Sequence, residues 1–242
     1  VLLAIQHLDY RRNKGAQMLK TQRSSAIQLL SVDAEYPFEV PLLNTVHWGD
    51  YSAIYTDCTQ KDLPRAIDKA ALHMVEGIFL YAPRLHVGDD ELLAMCDGIP
   101  IVRRDFVLDS KRITWVGYDQ IHATRIAVQH LIDLGHRAIA VVTGTLRTIN
   151  ASWRYEIWKK TLIENGLEPG PSAHGDYTTT KTAIETGYEG MCKILKSGAQ
   201  FTAVLVANDH MAIGAMHALR SHNLRIPDDV SVVSYDNSPH SA

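Results

Sequence analysis

The sequence predicts an α/β fold of two doubly wound parallel-sheet lobes. Three observations carry this expectation. Short continuous apolar runs such as AIQLLSV (26–32), GIFLY (77–81) and AIAVVT (138–143) read as strands buried on both faces. Helix-length segments of mixed polarity separate them, which is the alternation a parallel sheet needs. The pattern then restarts after Gly135 and His136, dividing the body into lobes 26–135 and 136–242, behind an arm at 1–25.

In the first lobe, 26–32 is the first strand and 36–46 its helix, where Pro41 admits only a first-turn position or a kink. YSAIYT (51–56) is the second strand, 64–73 a helix and 77–81 the third strand. A helix at 89–96 leads through Gly98 and Pro100 into a fourth strand at 99–102. Trp115 to Tyr118 begin a fifth element ahead of a helix at 121–134. In the second lobe the strand at 138–143 is followed by a helix at 152–164, stopped by Asn165 and Gly166. A helix at 180–196, a strand at 203–206, a helix at 211–222 and a strand at 230–233 complete it. The sequence stops soon after that strand, where a doubly wound lobe normally continues with a covering helix. A further piece with a return crossing is therefore expected.

Composition bounds the function. The chain has 242 residues, 46% hydrophobic and 21% charged, enough for a sizeable core. No run of 18 apolar residues exists, so no membrane contact is expected. There is no export-signal layout at the start. Cys58, Cys96 and Cys192 are odd in number and lack metal spacing, which reads as reduced thiols in the cytoplasm. The 12 histidines are scattered and form no H-E-x-x-H, so no metal is expected. G-x-S-x-G, G-x-x-x-x-G-K-[ST] and G-x-G-x-x-G are all absent, and VTGTLRTIN holds too few glycines for a nucleotide loop. The expectation is a non-enzyme without cofactor.

The arm carries the opposite charge from the body. Residues 1–25 hold five bases (Arg11, Arg12, Lys14, Lys20, Arg23) against Asp9, about +4, while the whole chain is −3, leaving about −7 elsewhere. A basic arm on an acidic body fits a polyanion, although charge alone also fits a solvated tail.

The order of residues in this arm adds to its charge. Ala4, Ile5, Leu8, Tyr10, Asn13, Ala16, Leu19, Arg23 and Ser24 form a pattern that resembles the junction between DNA-reading head and body in repressors of the LacI family. The resemblance implies a hinge helix at 13–19 that binds operator DNA through Asn13, Lys14, Ala16 and Leu19. Leu19 would be the apolar wedge that enters the minor groove. Gly15 costs such a helix about 1 kcal/mol relative to alanine. From Trp115 to Tyr235 the chain resembles the family's effector-binding core, most densely in LVANDHMAIGAMHAL and DDVSVVSYD. This implies a periplasmic-binding-protein type I fold, a homodimer, and a small effector held between the lobes.

Ligands of open α/β sheets bind beyond the carboxyl ends of the strands. Asn208, Asp209 and Asp236 sit there, and each alone also fits a helix cap or a solvated group. Arg154 falls one turn into a helix near the same edge, among Trp153, Tyr155 and Trp158, which ordinary packing would equally explain. The resemblance implies effector contacts for Arg154, Asn208, Asp236 and Tyr177. On the first-lobe side it implies Asp33, Tyr36, Phe38 and Asp119. Gln120 stands where the family has asparagine, and His122 where small or acidic residues are common. An arginine fork, carboxylates and aromatic faces without a dense basic cluster suit a neutral sugar. The reading is a DNA-binding transcriptional repressor controlled by a sugar-like effector. The alternative is a transport receptor of the same fold, distinguished by an export signal and a monomeric state.

Overall fold

The computed structural model describes residues 23–33, 51–82, 85, 87–104, 112–175 and 181–238, with positions 7, 18, 20 and 21. The chain forms two compact units, Val1–Gly117 and Tyr118–Ala242. Each holds its own parallel sheet. The predicted helix at 36–46 lies outside the described residues.

In the first unit, β1 (Ala26–Val32), β2 (Ser52–Cys58), β3 (Gly77–Tyr81), β4 (Ile101–Arg104) and β5 (Thr114–Val116) pair in the order β2-β1-β3-β4-β5. The strand order reverses between β1 and β3, the switch point of a doubly wound sheet. β1 is buried almost throughout, as its mainly apolar run requires. Its one amide, Gln28, is satisfied sideways: Nε2 donates to the Ile54 carbonyl at 2.9 Å and to Thr56 Oγ1 at 3.0 Å on β2. Two helices cover the sheet, α1 (Leu63–Leu72), with Pro64 in its first turn, and α2 (Asp89–Cys96). Leu30, Val32, Ile67, Leu80 and Leu92 form the centre of this core.

In the second unit, β6 (Ile139–Thr143), β7 (Ser172–His174), β8 (Ala203–Val206) and β9 (Ser231–Val233) pair as β7-β6-β8-β9. The same reversal occurs, now between β6 and β8. Period-two alternation splits the inner strands between two cores. Ile139, Val141 and Leu205 face α3 (Gln120–Asp133) and α4 (Ile149–Glu164), packing on Val128, Leu131 and Trp158. Ala140, Val142, Val204 and Val206 face α5 (Ala183–Lys196) and α6 (Asp209–Ser221). A capping box between Thr182 and Glu185 starts α5. The two helices approach backbone to backbone: a methyl at Gly214 would collide with the Ile184 carbonyl, and one at Gly187 with that of Met211.

Four corrections to the sequence reading follow. The division falls at 117 rather than 135, because α3 packs with α4 over the second sheet. β7 was missed: three residues between proline and glycine give too short a run to show periodicity. β4 begins at Ile101, beyond Pro100, rather than at 99. Helix α4 starts at Ile149, three residues earlier than expected. All three cysteines are free thiols. Burial, with Asp57, Asp62 and Asp33 nearby, pushes the Cys58 thiol up to about 11, and burial also raises Cys96.

Candidate functional site

The chemistry of the second unit collects at the carboxyl edge of its sheet, around Arg154. On α4 the buried positions are Ala151, Arg154, Trp158, Thr161 and Leu162, a helical stripe that turns Arg154 toward the sheet. The residue is 8% exposed, and its guanidinium is held by partners within the unit. Nε donates to Gln120 Oε1 at 3.0 Å, Nη2 to Tyr118 Oη at 2.7 Å, and Nη1 to the Ala207 carbonyl at the end of β8. The guanidinium carbon lies 4.1 Å from the centre of the Tyr235 ring. Three of its five N–H groups are thus engaged, leaving two for another acceptor.

Its partners are fixed in turn. Gln120 is buried at 1% exposure, and its Nε2 donates to Tyr118 Oη at 3.1 Å. Tyr235 Oη donates to Thr124 Oγ1 at 2.8 Å, and burial raises that hydroxyl above its ordinary value. Beside Tyr235, Asp236 has a left-handed backbone, φ 94°. Burial raises its carboxyl group, and Asp209 adds like-charge repulsion, while Arg154 and His210 pull the other way. The cation and the carboxyl group therefore lie in one electrostatic environment at the ends of β8 and β9.

The other expected site residues have structural duties. Asn208 caps α6, accepting from the Met211 N–H at 2.8 Å. Asp119 caps α3, accepting from His122 N–H at 2.9 Å. Asp33, with φ 47°, accepts from Gln60 N–H at 3.0 Å in the first unit. Asp209 is not a cap. Buried at 3% exposure, it accepts from the Ser234 hydroxyl and, at 2.6 Å, from Ser238 N–H, pinning the chain after β9. Among the aromatics near Arg154, Trp158 is wholly buried core, stacked on Tyr155 at 5.6 Å. Tyr36, Phe38, Tyr177 and the arm residues Asn13, Lys14, Ala16 and Leu19 lie outside the described residues.

Sequence reasoning missed Tyr118 and Gln120 as the clamps of Arg154. The signal was present in the glutamine that replaces the family's asparagine: its extra methylene lengthens the reach toward a distant acceptor or donor. Also missed was a clamp at the end of the arm. Arg23 Nε and Nη2 donate to Glu76 Oε2 at 3.1 and 2.7 Å, Tyr51 Oη donates to the same oxygen at 3.0 Å, and Ser25 N–H to Oε1 at 2.8 Å. The Arg23 hydrogen bonds and the Ser25 N–H hold the Glu76 carboxyl at about 2.

Residues 128–242 match the periplasmic binding protein-like domain. The chain is 30% identical over 245 residues to the HTH-type transcriptional repressor PurR of Pasteurella multocida (strain Pm70), covering 98% of this chain and 72% of that protein. The chain belongs to the LacI family of transcriptional repressors. Another family member, the lactose operon repressor of Escherichia coli (strain K12), is 34% identical over 182 residues, 72% of this chain and 48% of that protein. Among solved structures, the Lac repressor dimer bound to operator and the anti-inducer ONPF superposes with a TM-score of 0.79 at 28% identity, covering 96% of this chain and 82% of that one. The CelR–cellobiose complex gives 0.74 at 26% identity, covering 98% and 72%. Membership in this LacI family of repressors favours the regulator over the transport receptor.

Proposed function

We propose that this chain is the effector-binding core of a cytoplasmic, homodimeric repressor whose operator affinity is set by a small sugar-like effector, and that it performs no catalysis. The observation that carries the reading is the buried Arg154. It is pre-aimed by Gln120, Tyr118, the Ala207 carbonyl and the Tyr235 face, with Asp236 in the same electrostatic environment. A guanidinium held this way costs little further entropy when a ligand oxygen takes its remaining N–H groups. Asp236 beside it suits a hydroxyl as hydrogen-bond donor or acceptor. The related proteins support the class: one is bound to operator and an anti-inducer, another to cellobiose.

The mechanism is a population shift. Effector binding at the second-unit edge favours one of two states of the core, and the arm carries that difference to DNA. A coupling of about 1–3 kcal/mol changes operator affinity by about 5–150-fold. Residues 1–25, with Leu19 as wedge, are the proposed DNA-contacting arm, and the Arg23–Glu76 clamp fixes its exit from the first unit. The test is operator binding by the full-length repressor with and without neutral sugars, in the parent and in Asp236→Asn. A sugar response present in the parent and absent in the variant is the expected result.

A further inference from the structure

The amino edge of the first sheet holds a charge arrangement that effector binding does not use. The starts of three strands meet there. Ser52 N–H donates to the Ser25 carbonyl at 2.7 Å and Glu76 N–H to the Ala26 carbonyl at 2.8 Å, so the backbones entering β1, β2 and β3 are tied together. The Glu76 side chain, 22% exposed, stands in this corner. Ser25 N–H fixes its Oε1 and Tyr51 Oη its Oε2, so the sheet positions the carboxylate without help from Arg23.

Arg23 closes the corner from the arm side. Its Nη2 donates to both Glu76 Oε2 and Tyr51 Oη, and its Nε also donates to Oε2. A lone surface ion pair pays for its geometry in side-chain entropy. Here one guanidinium edge meets a carboxylate and a phenol already in place, so less order has to be imposed. The contacts that hold the Glu76 carboxyl at about 2 keep it charged at neutral pH. Setting Arg23 against Glu76 leaves Arg11, Arg12, Lys14 and Lys20 with Asp9, a formal arm charge of about +3 instead of about +4.

We propose that Glu76 sets DNA specificity: it holds the Arg23 guanidinium against the first sheet and so withholds it from the backbone phosphates of DNA. The inference rests on the reading of residues 1–25 as a DNA-contacting arm. Phosphate contacts supply affinity for any sequence, and base contacts supply discrimination. A free cation at the root of the arm strengthens binding to every duplex alike. Engaging that cation inside the protein lowers non-specific binding and leaves base-reading contacts untouched, which widens the ratio between operator and bulk DNA. Glu76 acts through Arg23 and touches no nucleotide, so it is a positioning residue.

The test is the salt dependence of binding to a random-sequence DNA duplex by the full-length repressor, in the parent, in Glu76→Gln and in the double variant Glu76→Gln/Arg23→Gln. In a homodimer, Glu76→Gln releases two guanidinium groups. Its log affinity then falls with log salt more steeply by about 1.8, at about 0.9 per phosphate, so a fourfold rise in salt weakens it about tenfold more than the parent. Removing Arg23 as well returns the slope to the parental value, which a merely structural role of Glu76 would not do. A Glu76→Gln slope equal to the parent's overturns the inference, while DNA binding by the parent keeps the arm reading. A double variant that stays steeper than the parent shows that Arg23 is not the released cation and overturns it too. So does a double variant shallower than the parent, because Arg23 would then already meet phosphate. If parent and variants all fail to bind the duplex, the arm reading falls and this inference with it.

Discussion

The two units repeat one strand order, β2-β1-β3-β4 and β7-β6-β8-β9, yet their carboxyl edges differ. In the first unit the described polar group past β1, Asp33, is occupied by the Gln60 N–H, a turn-forming contact. In the second unit, partners from α3, β8, β9 and the Tyr118 linker converge on the Arg154 side chain. Sheet order creates the edge, and side chains distant in sequence decide whether it becomes a site. The units also stabilise carboxylates differently. Arg23–Glu76 joins residues 53 apart, whereas Arg225–Asp229 is an i, i+4 contact on one turn, holding Asp229 at about 2.

Several substitutions would break or sharpen this contrast. The largest effect belongs to Gly214→Ala. Its methyl meets the Ile184 carbonyl, and the cost is about 3 kcal/mol of second-unit stability, read as a lowered urea midpoint while β1–β5 amides keep their hydrogen-exchange protection. Next is Arg154→Ala, which strands the buried Gln120 amide and the Ala207 carbonyl and costs about 2 kcal/mol of second-unit stability, read as a lowered urea midpoint. Arg154→Lys keeps the charge but loses the fork, so most of that loss should persist. Asn208→Ala removes a helix cap worth about 1 kcal/mol, and Asn208→Asp should restore it; an effector defect in the aspartate variant would show that the amide also contacts ligand.

The smallest effect is pH-dependent. The folded Glu76 carboxyl is lowered from 4.5 to about 2, so its contribution is complete above pH 4.5 and is lost as pH falls toward 2. Glu76→Gln should flatten the stability profile of the first unit in that window and leave the second unit unchanged. His174 acts in the same direction, but around neutrality. Its lowered pKa means the folded state binds fewer protons, so second-unit stability falls as pH drops below 6.5.

Much of the fold was legible because parallel strands buried on both faces are unbroken apolar runs. β3 and β8 match the sequence reading residue for residue. The boundary at 135 was not legible, since Gly135 ends α3 as a turn with φ 92° and resembles a linker, while α3 is committed to the second core by Val128 and Leu131. Arg154 and Asp236 were readable from their places near strand ends. Their environment was not, because Tyr118, Gln120, Ala207 and Tyr235 meet only through tertiary packing. Capping was ambiguous for the same reason: Asn208 and Asp209 are neighbours with similar side chains, and only the fold shows that the first caps α6 while the second holds the chain after β9.

The most direct test is operator affinity of the full-length repressor, titrated with neutral sugars, in the parent and in Asp236→Asn. A sugar that changes parental affinity by about tenfold or more, and does nothing to a variant with unchanged unfolding midpoint and unchanged sugar-free affinity, is the predicted result. An undiminished response in Asp236→Asn would contradict the placement of the effector at the second-unit edge.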